Sequence, residues 1–267
     1  MRYMLAYYAA QMRLAFADSM QYRAAIGLQL LGKFGEPVVY LVVWSIVARQ
    51  SGGEVAGFTA GTFAGYFIVW TLVRQMTVAW SPYWMETRIR RGEYSPLLLR
   101  PVHPFHFDTA NLMAGKAVEL FTLVPTMAVL ALVFRPSFQL QAWSILAFVP
   151  ALFFGFFLRH VLMYSMSLTA FWTTRVTALF QMFFTVEFFL SGRIAPISLL
   201  PEWGQQLARS LPFVWMFGFP LELLLGRFSP AEALAGFAHQ LGWLAFGGIV
   251  FVVVWRAAVR HYTAVGG

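Results

Sequence analysis

The sequence predicts an all-α integral membrane protein: six transmembrane helices, an N-terminal interfacial helix and re-entrant helices before span 6. Three observations predict it. Apolar residues make up 60% of the 267 and charged residues only 11%, with a mean hydropathy of +0.66. A water-soluble domain carries about 25% charged residues, so this chain lacks the polar surface to face water. Six stretches are apolar over the ~20 residues that a helix needs to cross a hydrocarbon core of roughly 30 Å. Their interiors show no period-two alternation, which argues against a β-barrel.

The elements follow in chain order. In residues 1–22, Met1, Leu5, Tyr8, Met12 and Phe16 share one helical face with Arg2 and Arg13 toward its edge. That pattern suits a helix lying along the cytoplasmic surface, the alternative being a frayed or soluble helix. Arg2, Arg13 and Asp18 are scattered where a cleavable signal peptide would have a compact apolar core, so none is expected. The spans fall near 24–48, 57–80, 116–134, 143–171, 176–192 and 234–255. The largest cytoplasmic segment, 81–115, separates the second and third spans and contains RIRRGEYSPLLLRPVHPFHFD. Pro196, Pro201, Pro212 and Pro220 cut residues 193–233 into pieces too short to span. Their Leu, Phe and Trp content fits an extracellular, re-entrant segment, tolerated where protein buries its backbone. Residues 1–267 form a single membrane unit, without repeats or a soluble domain.

Lys and Arg set the orientation. With the N-terminus in the cytoplasm, inner segments hold twelve of the 19 and outer segments five (Arg49, Arg135, Arg193, Arg209, Arg227), leaving Lys33 and Arg159 inside spans. Both termini are therefore expected in the cytoplasm. The net charge of +8 is a topology signal, not a nucleic-acid footprint.

Enzyme chemistry is missing from the motifs. The absence of cysteine excludes thiolate metal sites and Cys nucleophiles. Gly115-Lys116 is followed by Ala117 and has Ala110 where a P-loop needs its first glycine. His103 and His106 are spaced i, i+3 without a nearby carboxylate pair, which argues against a metal site. No HExxH or GxSxG occurs. The chain is expected to be no enzyme and to bind no cofactor.

Ionisable residues inside spans cost about 2.5–3.5 kcal/mol each, which makes them candidates for function. Gln29, Lys33, Glu36 and Tyr40 form a polar stripe on one face of the first span, and Lys33 can pair with Glu36. The stripe either fixes helix packing or lines a translocation path. In the fifth span Glu187 shares a face with Phe180, Phe183 and Phe184, a setting that suits a lipophilic cation. Two alternatives are an ion pair with Arg159 or Lys33 and a solvated position near the outer surface. Gly57, Gly61 and Gly65 form a stripe at every fourth residue, for packing within the chain or for a dimer contact.

The segment 81–115 carries a leucine run and two phenylalanines rimmed by arginine, as a groove on another protein would require; contact with anionic lipid headgroups is the alternative. Here the chain resembles the permease subunits of ABC exporters of the ABC-2 type. IRRGEYSPLLLRPVHPFHF, SGRIAPISLLPEWGQQLARSLPF and FPLELLLGRFSPAEALAGFAHQLGW are similar to the subgroup often encoded as two permeases with one ATPase. The resemblance implies a cytoplasmic coupling helix between spans 2 and 3, near 86–100, docked on a separate ATPase that binds ATP and Mg. Arg88, Arg90, Arg91, Glu93, Leu97, Leu98 and Leu99 are the docking residues expected there. It further implies a second permease in a homo- or heterodimer, and a prokaryotic plasma (inner) membrane. The aromatic content of 18% and Glu187 point to a hydrophobic or cationic drug-like cargo. Polysaccharide or lipid-linked glycan export is the rival, and an integral-membrane lipid-modifying enzyme a more distant one.

Overall fold

The computed structural model describes residues 2–21, 23–79, 81–173 and 176–261, with backbone only at 19–21, 23–31, 33, 81–83 and 90. The chain is almost wholly helical. Helices α1 (Arg2–Gln21) and α2 (Arg23–Gln50) lead into a small hairpin, β1 (Glu54–Val55) and β2 (Phe58–Thr59), paired Glu54 to Thr59 and Val55 to Phe58. Its turn needs left-handed backbone at Ala56 (φ 47°) and Gly57 (φ 80°). Gly57 therefore belongs to a turn and not to the helical glycine stripe expected of it.

Helix α3 (Ala60–Thr77) opens on a capping box, Thr59 and Thr62 each accepting from the other's backbone N–H. It is deeply enclosed, buried without interruption from Phe63 to Thr71. Gly61 and Gly65 face the 137–138 segment; a Cβ on Gly65 would stand 3.1 Å from the Ser137 carbonyl oxygen. The stripe thus serves packing within the chain.

Two short helices follow, α4 (Ser81–Arg90) and α5 (Ser95–Leu98), before α6 (Pro104–Phe134). Gly92, Pro96, Pro101 and Pro104 are the residues of this segment that can break a helix. Gly92 does end α4, at φ 70°, with the Glu93 N–H returning to the Arg88 carbonyl. Pro96 and Pro104 instead stand in the first turns of α5 and α6, where a missing N–H costs nothing. As a result α6 begins twelve residues before the expected third span.

Helix α7 (Ala142–Ser167) continues as a 3₁₀ turn to Phe171, and α8 (Thr177–Leu190) follows. At 14 residues α8 is ~21 Å long, short of a hydrocarbon core. Beyond it lie α9 (Glu202–Ser210), a π-helical turn (Val214–Gly218) with α10 (Phe219–Leu224), and the long α11 (Pro230–His261). The second leg meets α9 at 83°, the break falling at Leu211-Pro212. Residues 212–221 are buried throughout, against α3, α7 and α11. Close approach is made possible by Gly155, where a Cβ would stand 2.6 Å from the Met216 carbonyl oxygen. Gln240 of α11 donates to the carbonyls of Ala151 (2.9 Å) and Trp215 (2.8 Å), tying three elements together.

Among the described residues three helices are long and apolar enough to cross a membrane, Pro104–Phe134, Ala142–Phe171 and Pro230–His261, or four if the bent pair counts as one. They present apolar side chains outward: Leu132 is 79% exposed and Leu146 76%. Such surfaces suit hydrocarbon, not water. Helix α1 packs on α6, through Tyr8 with His106 and Phe16 with Phe121.

Candidate functional site

Helix α2 passes α3 through an aromatic contact, Tyr40 stacked on Phe67 at 5.3 Å and edge-on to Trp70 at 5.5 Å. One turn away Glu36 is engaged by two arginines. Arg74 lies 2.9 Å from its Oε2, while Arg193 donates to Oε1 from Nη2 (2.7 Å) and Nε (3.2 Å). Trp70 lies under the Arg74 guanidinium at 5.3 Å, and Phe188 under that of Arg193 at 5.4 Å. Glu36 is therefore partnered from α3 and from the chain after α8. The side chains of Lys33 and Gln29 lie outside the described residues.

Arg193 is placed by the turn before it. Gly192 is left-handed (φ 87°), and its carbonyl accepts from the Tyr66 hydroxyl at 2.6 Å. The Ile194 carbonyl accepts from Trp44 Nε1 at 2.9 Å. These two bonds hold the backbone against α2 and α3 while the Arg193 side chain reaches Glu36.

On the other wall, Arg159 of α7 meets Glu187 of α8. Nη2 donates to Oε2 at 2.9 Å and Nη1 lies 2.9 Å from Oε1, with both side chains buried. Glu187 is thus not the lone carboxylate that a cationic cargo would seek. Its charge is answered by a fork-shaped partner, the arrangement that offsets the cost of burying both. Of the aromatics expected beside it, Phe184 lines the adjoining cavity. Phe180 is buried with Met163, Ala170 and Val176, and Phe183 packs on Phe213 at 5.2 Å.

The cavity between these walls has a volume of about 280 Å³. Arg74, Arg159 and Arg193 line it, with Glu187, Ser191 and the ring of Phe217. Three guanidiniums therefore share one space with two carboxylates, Glu36 and Glu187, as their direct partners.

The second candidate region is the segment 81–108. Arg88 reaches the buried carboxylate of Asp108, Nη1 to Oδ1 at 2.5 Å. The other Asp108 oxygen accepts from the Tyr164 hydroxyl at 3.2 Å, and that hydroxyl lies 3.3 Å from Tyr94. The segment is thereby bolted to α6 and α7. The three leucines do not form one ridge. Leu97 is buried, 7% exposed, against Met85, Tyr94, Tyr164 and Leu168; Leu98 packs partly on the same cluster; Leu99 is 87% exposed. Arg91 and Glu93 are exposed and 3.8 Å apart, and the Arg90 side chain lies outside the described residues. Arg88 is therefore an internal strut, not a surface group. The nearby histidines have structural partners: the His103 ring caps α6 by accepting from the Phe105 N–H, and His106 bonds Tyr8.

A family model described as ABC-2 family transporter protein matches residues 34–266. The chain belongs to this family. No curated protein matches it. The match takes in both regions just described, from Glu36 to Arg193 and from Ser81 to Asp108, and leaves α1 outside. As an ABC-2 family protein the chain is a membrane component of a transporter, as its outward apolar helices also require.

Sequence reasoning missed Arg74, Arg193, Asp108 and Tyr164. Arg74 carried a usable signal, since an arginine inside the second span is costly unless partnered; it was counted only as a topology marker. Arg193 and Asp108 stand outside the expected spans and carry no such signal.

Proposed function

We propose that this chain is the permease subunit of an ATP-driven exporter and forms half of a translocation path with a second permease. In this reading six membrane crossings are built from α2, α3, α6, α7, α11 and α8, with both termini in the cytoplasm of a prokaryotic cell. Helix α8 crosses only together with residues 191–195 that follow it, because the helix itself is too short. The bent pair α9 and α10 is a re-entrant hairpin, because Pro212 and the 83° bend stop it from crossing. A separate ATPase, holding ATP and Mg, docks on the α4–α5 segment.

The observation that carries this reading is the construction of that segment. Arg91, Glu93 and Leu99 are exposed, and Arg88–Asp108–Tyr164 joins the segment to α6 and α7. A segment pushed by a motor needs both a free contact face and a stiff link to the spans. Drug-like molecules and lipid-linked glycans are the cargo classes that suit the aromatic walls; the preference for a cation loses its basis because Arg159 already holds Glu187. Co-expression with its ATPase tests the reading. Arg91→Glu with Leu99→Asp should leave the permease intact and abolish co-purification; an unchanged complex would count against it.

A further inference from the structure

We infer that the arginine-lined cavity between α3, α7 and α8 binds a phosphate or carboxylate group, the anionic head of its ligand. This inference rests on the transport reading for its purpose, though not for its chemistry.

The first argument is charge. Arg74, Arg159 and Arg193 carry three positive charges, and Glu36 and Glu187 return two. Within this group of five one guanidinium charge is unanswered, in a protein that presents hydrocarbon-like surfaces outside. A monovalent oxyanion completes the balance. A cation would raise the excess instead.

The second argument is hydrogen bonding. Glu36 and Glu187 occupy some guanidinium donors, and three buried atoms of the cavity's lining residues have no hydrogen-bond partner among the described residues: Arg159 Nε, the Ser191 hydroxyl and one acceptor, Glu187 Oε1. Arg159 and Ser191 both line the cavity and both are buried, at 6% and 1% exposed. Buried donors without acceptors are expensive, and the large majority in native structures are satisfied. The Arg159 Nε–H can only donate and the Ser191 hydroxyl can donate, which an anion, being all acceptor, satisfies; Glu187 Oε1 stays with the Arg159 guanidinium 2.9 Å away. Planar guanidiniums are moreover suited to the paired oxygens of carboxylate and phosphate.

The third argument is shape. The rings of Phe184 and Phe217 complete the wall, so the same space that takes an anion offers apolar contact to whatever is attached to it. A volume of about 280 Å³ admits a headgroup with the start of a chain, not a whole lipid.

The test uses the full chain assembled with its ATPase and presented with equal amounts of phosphatidic acid and diacylglycerol, the same lipid without its phosphate. Native mass spectrometry reads which lipid is retained. Phosphatidic acid should be retained in preference, and Arg193→Gln should weaken that retention about tenfold, the change that ~1.4 kcal/mol makes. Glu36 keeps Arg74 in that variant, so the fold survives; Ser191→Ala is the second variant and should weaken retention to a smaller extent. Equal retention of the two lipids overturns the inference, as does a preference untouched by both variants. Millimolar inorganic phosphate distinguishes the source. Displacement of the lipid means that the free anion suffices, and failure to displace means that the attached chain is needed; either result upholds an oxyanion site. Co-purification of the ATPase, scored in the same samples, reports on the transport reading separately.

Discussion

Arg159 and Glu187 face each other across α7 and α8 with two oxygen–nitrogen pairs at 2.9 Å, both side chains nearly inaccessible. The pair closes one wall of the arginine cavity and holds α8, a helix too short to cross a bilayer unaided, to the longest-buried part of α7. Breaking one side of such a pair leaves an uncompensated charge. Glu187→Gln should therefore lower stability by about 3–5 kcal/mol. Replacing both partners with apolar residues of similar size should recover most of it. Thermal unfolding of the detergent-solubilised protein measures the difference, and a harmless single substitution would show that the pair is solvated.

Leu97 and Leu99 separate folding from docking. Leu97→Asp places a charge inside the Tyr94–Tyr164 cluster and should prevent accumulation of folded protein. Leu99→Asp alters a side chain that is 87% exposed and should leave a monodisperse permease. Leu99→Asp should lose co-purification of the ATPase while the permease itself stays folded. Equal behaviour of the two variants in size-exclusion chromatography would refute the assignment of faces.

Asp108→Asn removes the charge from the strut to Arg88 and weakens it while keeping the side chain's size. Hydrogen bonds to charged groups contribute about 1.5–3 kcal/mol, so the protein should fold with reduced stability. The docking face stays in place, and ATP hydrolysis by the bound ATPase should continue with little response to cargo. Tyr164→Phe should show the same uncoupling to a smaller degree, because it removes one bond to the same carboxylate. The ratio of cargo-stimulated to basal hydrolysis is the measurement.

Gly155→Ala should drive the Met216 carbonyl away from α7, since the new methyl would stand 2.6 Å from it. Backbone cannot yield as a flexible side chain does, and overpacking of this kind costs about 1–3 kcal/mol. Gly242→Ala, with nothing within 4 Å, is the matched control and should be neutral. Melting temperatures of the two variants decide the matter.

Much of this architecture was legible along the chain. Helices cover the apolar runs, though among the described residues only three, or four with the bent pair, are long and apolar enough to cross. Prolines 196, 201 and 212 fall at breaks in the segment before α11, whereas Pro220 lies inside a continuous helical leg. Pro104 starts α6, and its role was not legible, because proline breaks a helix in its interior and starts one at its first turn, and the surrounding residues do not say which. The ionic groups were harder. Glu36 was recognised as costly, but its partners Arg74 and Arg193 are 38 and 157 residues distant. The leucine run looked uniform as text, whereas helical rotation sends Leu97 inward and Leu99 outward.

Composition and apolar run length suffice to commit this chain to a helical life in a membrane. Both are additive along the chain, and a bilayer punishes any other arrangement regardless of how the helices meet. Which charges meet, and hence that Glu187 is neutralised and three arginines share a cavity, was settled by packing alone. A side-chain pair acts over a few ångströms, and only the fold brings residues so distant in the chain within that reach.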